Sequence, residues 1–471
     1  MTYKYFLLFV LASAMLMSCQ EEPKTKAPKQ TLEGTYHSIG YGHLISIVGD
    51  TLIRHNHSKR YCAEKDRYLL TDLGEKIAFS ADTLVYKIGY DSYYYTRTSW
   101  KPAICLFRYT PDQLQDSILN FEIMASTFRE HYAYLELNNL DWEAIYKEYR
   151  SLVTNETSKV ELYHIMDSFI GRMNDQHGNL DVPDSIYEAA QNPIKGSQER
   201  NYGDFEVASI LRSAILTEEL TNNSTSIRWG RLADGAGYLQ INAMMLTAHF
   251  DLDPEIVKTQ GLFGAYFERM DALDPFDQLQ MEIDGAALTI EQALADLANT
   301  DYLVLDIRFN GGGVDEVGLE MLRYFNNSPK VFGTKKARLG AGFTRPIALT
   351  LEATDAPYLK PVFLLTSPQT GSAAEIFAMA SMVLPNFTRI GGATMGATSD
   401  MLEKPLPNGW SFGLSNEIYQ DINGQSYENL GVPININLDY TRDRQDFFRQ
   451  VAINPLKDYT QWTQPIDSIL N

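Results

Sequence analysis

Between residues 34 and 108 apolar and polar positions alternate. "GYGHLISIVGDTLIRHN" and "DTLVYKIGYDSYYYTRTSW" repeat with a period of two and are rich in Tyr, Ile, Val and Thr. Gly-Asp and Asp-Ser breaks interrupt them, so the stretch predicts a β-rich domain of strands and tight turns. Near Thr110 the period changes. Thr110, Pro111 and Gln113 form a capping-box signal, and Leu114, Ile118, Phe121 and Phe128 follow at helical spacing. Trp142, Ile145, Tyr146 and Tyr149 share one face of a second predicted helix. Ser158 and Glu161 open a third, with a stripe of Leu162, Ile165, Met166, Phe169 and Met173 that ends in "NDQHGNL". Residues 109–183 therefore predict a helical bundle.

Residues 184–235 are polar and weakly periodic, and predict a linker or excursion carrying one short helix, "FEVASILRSAI". From 236 to 456 the pattern is strand, glycine-rich turn, helix, repeated. "GYLQINAMM", "DYLVLDIRFN" and "KPVFLLTS" predict strands; "TIEQALADLA", "VDEVGLEMLRYFN" and "AAEIFAMASMVL" predict helices. That order implies a mainly parallel sheet covered by helices. Residues 457–471 are left as a C-terminal tail. The expected class is multi-domain α+β, with a β-rich domain, a helical bundle and an α/β core.

Charge narrows the function. The 471 residues carry a net charge of −20 and no long basic run, which excludes a nucleic-acid partner. The first 18 residues hold one lysine and an apolar run from Phe6 to Leu16, the length of a signal-peptide core. "LMSC" resembles a bacterial lipobox, in which Cys19 is acylated, and "QEEPKTKAPKQ" extends a flexible tether over 19–33. An exported lipoprotein anchored at the outer membrane is expected. Cys62 and Cys105 fit either a disulfide, which an oxidising compartment permits, or two buried thiols. His55 and His57 lack a third ligand at a sensible spacing, so no metal site is expected.

Four segments carry candidate chemistry. In "TSPQTGSAAEIFAMA", Ser372 lies between a strand and a helix, at the carboxyl edge of the sheet, where helix N–H groups favour an oxyanion. An N-cap role alone would also suit it. "LVLDIRFNGGG" places Gly311, Gly312 and Gly313 directly after a buried strand, without a G-K-[ST] or G-x-G-x-x-G phosphate signature. His177 occupies a tight polar turn after an apolar helix, and imidazole is the base a serine hydroxyl needs. Glu428, in "GQSYENLGVPINI", is a carboxylate able to orient that base.

"DIRFNGGG", "TSPQTGSAAEIFA", "GGATMGATSD" and "YENLGVPINI", in that order, resemble the tail-specific and tricorn-core serine peptidases, and "MNDQHGNL" resembles the histidine turn before their core. The resemblance covers about 110 to 440 and implies a crotonase-like α/β core behind a helical domain. It implies Ser372 as nucleophile, Gly312 and Ala373 as oxyanion donors, His177 as general base and Glu428 as the acidic member. It implies a peptide or protein substrate and no cofactor. The chain departs from the family twice. The "TxGK" lysine of the tail-specific branch is Ala397, so only the histidine route remains. The serine before the histidine is Gln176, so Gln176, Asp175 or Glu428 would have to orient the ring. No PDZ-like insert fits between His177 and "GYLQI". The alternative is a non-catalytic lipoprotein whose glycine-lined cleft captures a peptide terminus.

Overall fold

The computed structural model describes residues 32–191, 200–221 and 224–471. The expected signal peptide, Cys19 and nearly all of the 19–33 tether lie outside the described residues. No helix among the described residues is long and apolar enough to cross a membrane.

Seven strands between Gly34 and Thr98 form one antiparallel sheet, in which the first strand, Gly34–Ser38, pairs with both His43–Val48 and Asp91–Thr98. The alternation read from the sequence buries Tyr36, Ile45, Ile47, Leu52, Leu84, Tyr86 and Tyr95 on one face. Of the two cysteine alternatives the structure has the disulfide. Cys62 of an edge strand is joined to Cys105, which leads into the helical region.

The capping box at Thr110 and Gln113 is formed, but its helix stops after one turn at Leu114. Asp116 then caps a new helix, Ser117–His131, by accepting from the Leu119 amide. Trp142–Arg150 and Lys159–Arg172 follow, the latter with the Ser158–Glu161 capping box in place. The helices do not bury their apolar faces among themselves alone. Phe121, Phe128 and Phe169 share a core with Leu402, Trp410, Phe412 and Leu414 of a hairpin far along the chain, and Phe128 stacks on Phe412 at 5.8 Å. Each such ring buried contributes about 1.5–3 kcal/mol, so the bundle is held to the core rather than tethered to it.

The α/β core is a seven-stranded mixed sheet. Its neighbours run, in order, Ile436–Asn437, Phe387–Gly391, Val362–Thr366, Leu303–Asp306, Gly237–Ile241, Ile227–Arg231 and Glu218–Glu219. The first five are mutually parallel, and the last two are antiparallel additions. Leu303–Asp306 and Val362–Thr366 are buried throughout, as strands covered on both faces must be.

Two boundaries differ from the sequence reading. Residues 184–235 are not a linker. They supply helices Asp184–Ala190 and Asp204–Ile215, and strands Glu218–Glu219 and Ile227–Arg231 of the main sheet. Val207 and Leu211 pack with Phe447, Phe448 and Trp462. Residues 457–471 are not a tail either. Helix Pro455–Leu470 buries Trp462 and Ile466 completely, an anchor that fixes the chain end against the sheet.

Candidate active site

The strand Val362–Thr366 delivers the chain to a turn whose last residue, Ser372, precedes helix Ala373–Ala380. Ser372 has φ 52° and ψ −127°, a region a non-glycine residue enters only when its surroundings force it. Its hydroxyl makes no capping bond to its helix. Oγ lies instead 3.1 Å from Nε2 of His177. A serine serving as N-cap would spend that oxygen on the N2 or N3 amide; this one is turned outward to an imidazole.

Gly312 explains how the turn is packed. Its φ is +115°, and a Cβ there would stand 2.6 Å from Ser372 Cβ and 3.1 Å from the Ala373 nitrogen. Only glycine lets the two turns meet so closely. The expected oxyanion role of Gly312 needs correction, however. Its amide donates to Asn310 Oδ1 at 2.8 Å in an Asx-type turn whose Asn310 is fully buried. Asn310 is itself fixed by donation to the Ile241 carbonyl at 3.1 Å. Among the described residues the amides of Gly313, which is exposed, and of Ala373, the first of its helix, have no acceptor. The amide of the exposed Gly311 is open as well, so the glycine turn and the helix start together leave three donors free among the described residues.

His177 follows Asn174, whose φ of 53° turns the chain sharply after helix Lys159–Arg172. Asp175 fixes the turn by accepting from the His177 amide at 3.0 Å. The same carboxylate accepts from the Ser415 hydroxyl at 2.6 Å and the Ser415 amide at 2.8 Å. Directly after the histidine, Asn179–Asp181 joins Ser411–Ser415 as an antiparallel strand. Burial lowers the His177 pKa, and the charges of Asp175 and Asp400 oppose that effect.

The ring is oriented otherwise than expected. Nδ1 of His177 is buried and has no partner among the described residues. Asp175 holds the backbone of His177, not its ring. Gln176 is exposed and makes no hydrogen bond there. Glu428 lies in a turn beyond the hairpin strand Glu417–Asp421, and its Oε2 accepts from the Thr398 amide at 2.8 Å and hydroxyl at 2.9 Å. Burial pushes Glu428 up to about 7, with the charges of Glu375 and Asp175 adding to the rise.

Glu375, Asp400 and Ser415 escaped the sequence reading. Glu375, three residues after Ser372, is fully buried and accepts from Gly396 N at 2.8 Å, Ala397 N at 2.6 Å and the Thr394 hydroxyl. Burial pushes it up to about 7 as well. Glu375 and Glu428 thus grip consecutive residues of the "TMGAT" turn, and the Ala397 methyl is buried where the resembling branch carries lysine. A helix-borne Glu three residues past a candidate nucleophile was visible in the sequence. The Asp175–Ser415 contact, 240 residues apart, had no local signal.

Residues 236–438 match peptidase family S41, and residues 119–171 match the tricorn protease C1 domain. No curated protein matches the chain. Among solved structures, a candidate peptidase from Parabacteroides merdae is 21% identical with a TM-score of 0.52, covering 72% of this chain and 96% of its own. Mature CPAF complexed with lactacystin is 12% identical with a TM-score of 0.51, covering 74% of this chain and 98% of its own. Both share the fold.

Proposed function

Because the chain belongs to peptidase family S41, we propose that it is a serine endopeptidase that works through an acyl-enzyme. The observation that carries this reading is the Ser372 Oγ to His177 Nε2 approach of 3.1 Å, made by a strained serine whose hydroxyl does not cap its helix. Nε2 of neutral His177 takes the hydroxyl proton as Oγ attacks the peptide carbonyl. The carbonyl oxygen gains the displaced electron pair and is met by the amide of Ala373 and an open amide of the glycine turn, with the dipole of helix Ala373–Ala380 behind them. The imidazolium then gives its proton to the leaving amine and the C–N bond breaks. Water, deprotonated by the same nitrogen, attacks the ester and frees Ser372. The imidazolium formed on the way is stabilised by the charges of Asp175 and Asp400 rather than by a carboxylate bonded to Nδ1.

A fluorophosphonate probe tests the reading. Labelling of the wild type, abolished in Ser372→Ala and slowed in His177→Ala, is expected. No labelling of a folded wild type overturns it in favour of a non-catalytic peptide binder, a reading that the unpartnered Nδ1 supports. We further propose that Cys19 is lipidated and holds the enzyme at the outer membrane. Metabolic labelling with palmitate that survives in Cys19→Ser overturns that part alone.

A further inference from the structure

A cavity of about 200 Å³ lies between the N-terminal sheet and the core. Its walls come from four places, one of them the paired strands Lys330–Leu339 and Ile347–Leu351, which contribute Lys335 and Leu349. Helix Asp315–Arg323, which begins two residues after the glycine turn, contributes Asp315 and Glu316. The helix behind Ser372 contributes Ile376, one turn from the candidate nucleophile. The tip of the hairpin Thr83–Ile88 and Asp91–Thr98 contributes Tyr90 and Asp91.

That tip is seated firmly. Tyr90 OH donates to Glu320 Oε2 at 3.2 Å, and Asp91 Oδ2 accepts from Lys335 Nζ at 2.6 Å. Gly89 (φ 56°) lies against Glu316, where a Cβ would stand 2.2 Å from Oε1. The N-terminal sheet therefore forms part of the cavity wall.

The lining is unbalanced in charge. Lys335, its basic group, is already held by Asp91 and by Glu417 Oε2 at 3.4 Å. Three carboxylates remain, Asp315, Glu316 and the exposed Glu352 at the rim. Asp315 has one oxygen engaged, by Tyr419 OH at 3.2 Å. Glu316 is half-buried and lines the cavity, and its carboxylate accepts from its own backbone amide but from no other side chain among the described residues. Burial pushes Glu316 up to about 7 and Asp315 well above the carboxylate range. The charge of Lys335 offsets this burial only in part, its Nζ being taken by Asp91 and Glu417, and a cation entering beside the acids relieves the rest of the cost. The apolar stem of such a cation has Leu349 and Ile376 to lie against. The charge of Asp400 acts on His177 and on Asp315 and Glu316 alike, so cavity and base occupy one electrostatic neighbourhood.

We propose that this cavity is a specificity subsite that takes a cationic substrate side chain, lysine or arginine, with Glu316 and Asp315 as its counter-charges and the N-terminal hairpin as its outer wall. The proposal rests on the serine-peptidase reading. Paired peptidyl diphenyl phosphonates test it, one carrying a lysine-like aminoalkyl side chain and the other a leucine-like isobutyl group. The wild type should be inactivated about ten-fold or more faster by the aminoalkyl probe, and Glu316→Gln should cut that ratio by a similar factor. Asp315→Asn serves as a second variant should Glu316→Gln melt early. Equal rates, or a ratio untouched in both variants, overturn the subsite. Reaction with a small fluorophosphonate but with neither peptidyl probe overturns the subsite and leaves the serine reading standing. Reaction with none of the three overturns both.

Discussion

Asp175 and Ser415 are joined twice, hydroxyl to Oδ1 and amide to Oδ2, and the same Oδ1 holds the backbone of His177. Ser415 ends a strand of the core hairpin, and Asp175 ends the helical module. One carboxylate thus carries the candidate base across a module boundary. It also supplies negative charge that partly offsets the burial lowering the pKa of the ring.

Asp175→Asn keeps the size of the group but removes its charge and sets an amide NH2 against the Ser415 donors. Activity should fall about 10- to 100-fold, the scale of a displaced catalytic group. The sign of the pH effect is fixed by the charge. Asp175 raises the His177 pKa against the desolvation that lowers it; without it the pKa drops further. The wild-type acid limb of kcat/KM should therefore fall below the ordinary imidazole value of about 6.5, and lower still in the variant. A pH–rate profile measures both. An acid limb that moves upward in the variant refutes this account of Asp175.

Gly311 and Gly312 are adjacent but not equivalent. A Cβ at Gly311 meets nothing within 4 Å, whereas one at Gly312 collides with Ser372 on a backbone at φ +115°. Gly312→Ala should cost about 1–3 kcal/mol of stability and displace the nucleophile. Gly311→Ala should retain the wild-type melting temperature within a few degrees. Calorimetry and probe labelling of the two variants, side by side, give the comparison; equal behaviour contradicts the packing described.

The sequence disclosed those parts of the site that a short stretch encodes. Ser372 stood out because a buried strand, a turn and a helix follow one another within 20 residues, and the glycine turn for the same reason. The strained φ of Ser372 did not show, since it goes with close packing against Gly312, in a turn far back in the chain. The Gly312 amide was misassigned although Asn310, two residues earlier, is an ordinary Asx-turn former. "IRWGR" was passed over because its arginines break the apolar run. In the fold Arg228 and Arg231 pair with Glu219 and Glu218 at the sheet edge while Ile227 and Trp229 are buried. The C-terminal helix was missed because only Trp462 and Ile466 mark its buried face.

Glu375 tests whether the "TMGAT" turn matters for the nucleophile. Its oxygens each meet a backbone amide, and the Thr394 hydroxyl is the one neighbour that can also accept its proton. Glu375→Gln places an NH2 against an N–H, so the turn should lose about 1–3 kcal/mol. Hydrogen exchange at Gly396 and Ala397 should accelerate, and probe labelling of Ser372 should slow. The wild-type pH dependence has a definite sign. Folded Glu375 holds its proton to about 7 while the ordinary glutamate value is 4.5, so its contribution to stability is present below pH 4.5 and is lost as pH rises towards 7. Glu375→Gln should remove that slope, and exchange that remains slow in the variant argues against the brace.

Acid should loosen the N-terminal sheet from the rest of the protein. Of eight histidines, five lie on or against this sheet: His37, His43, His55, His57 and His131. Ring nitrogens of His37, His43, His55 and His131 are buried without partners. Beside them Lys404 is buried and held only by neutral oxygens, the Tyr41 and Gly42 carbonyls and Asn56 Oδ1. Lys65, Arg54, Lys59 and Lys101 add positive charge; Glu130, Glu64 and Asp66 are the acids nearby, Lys59, Arg67 and Arg54 already pair with them, and Glu130 Oε2 stands 4.0 Å from His131 Nε2. Burial lowers all five imidazoles, to about 4 at His57 and about 3 at His131. The unfolded chain takes up protons from pH 6.5 downward while the folded chain resists, so stability is lost progressively from pH 6.5 towards 3. The melting temperature should drop over that range, with hydrogen exchange rising first in strands His43–Val48 and Thr51–His57. Replacing His131 by Gln, which cannot take up a proton there, should flatten the drop. An acid dependence identical in His131→Gln removes this imidazole from the account, and a melting temperature constant from pH 7 to 4 removes the whole cluster.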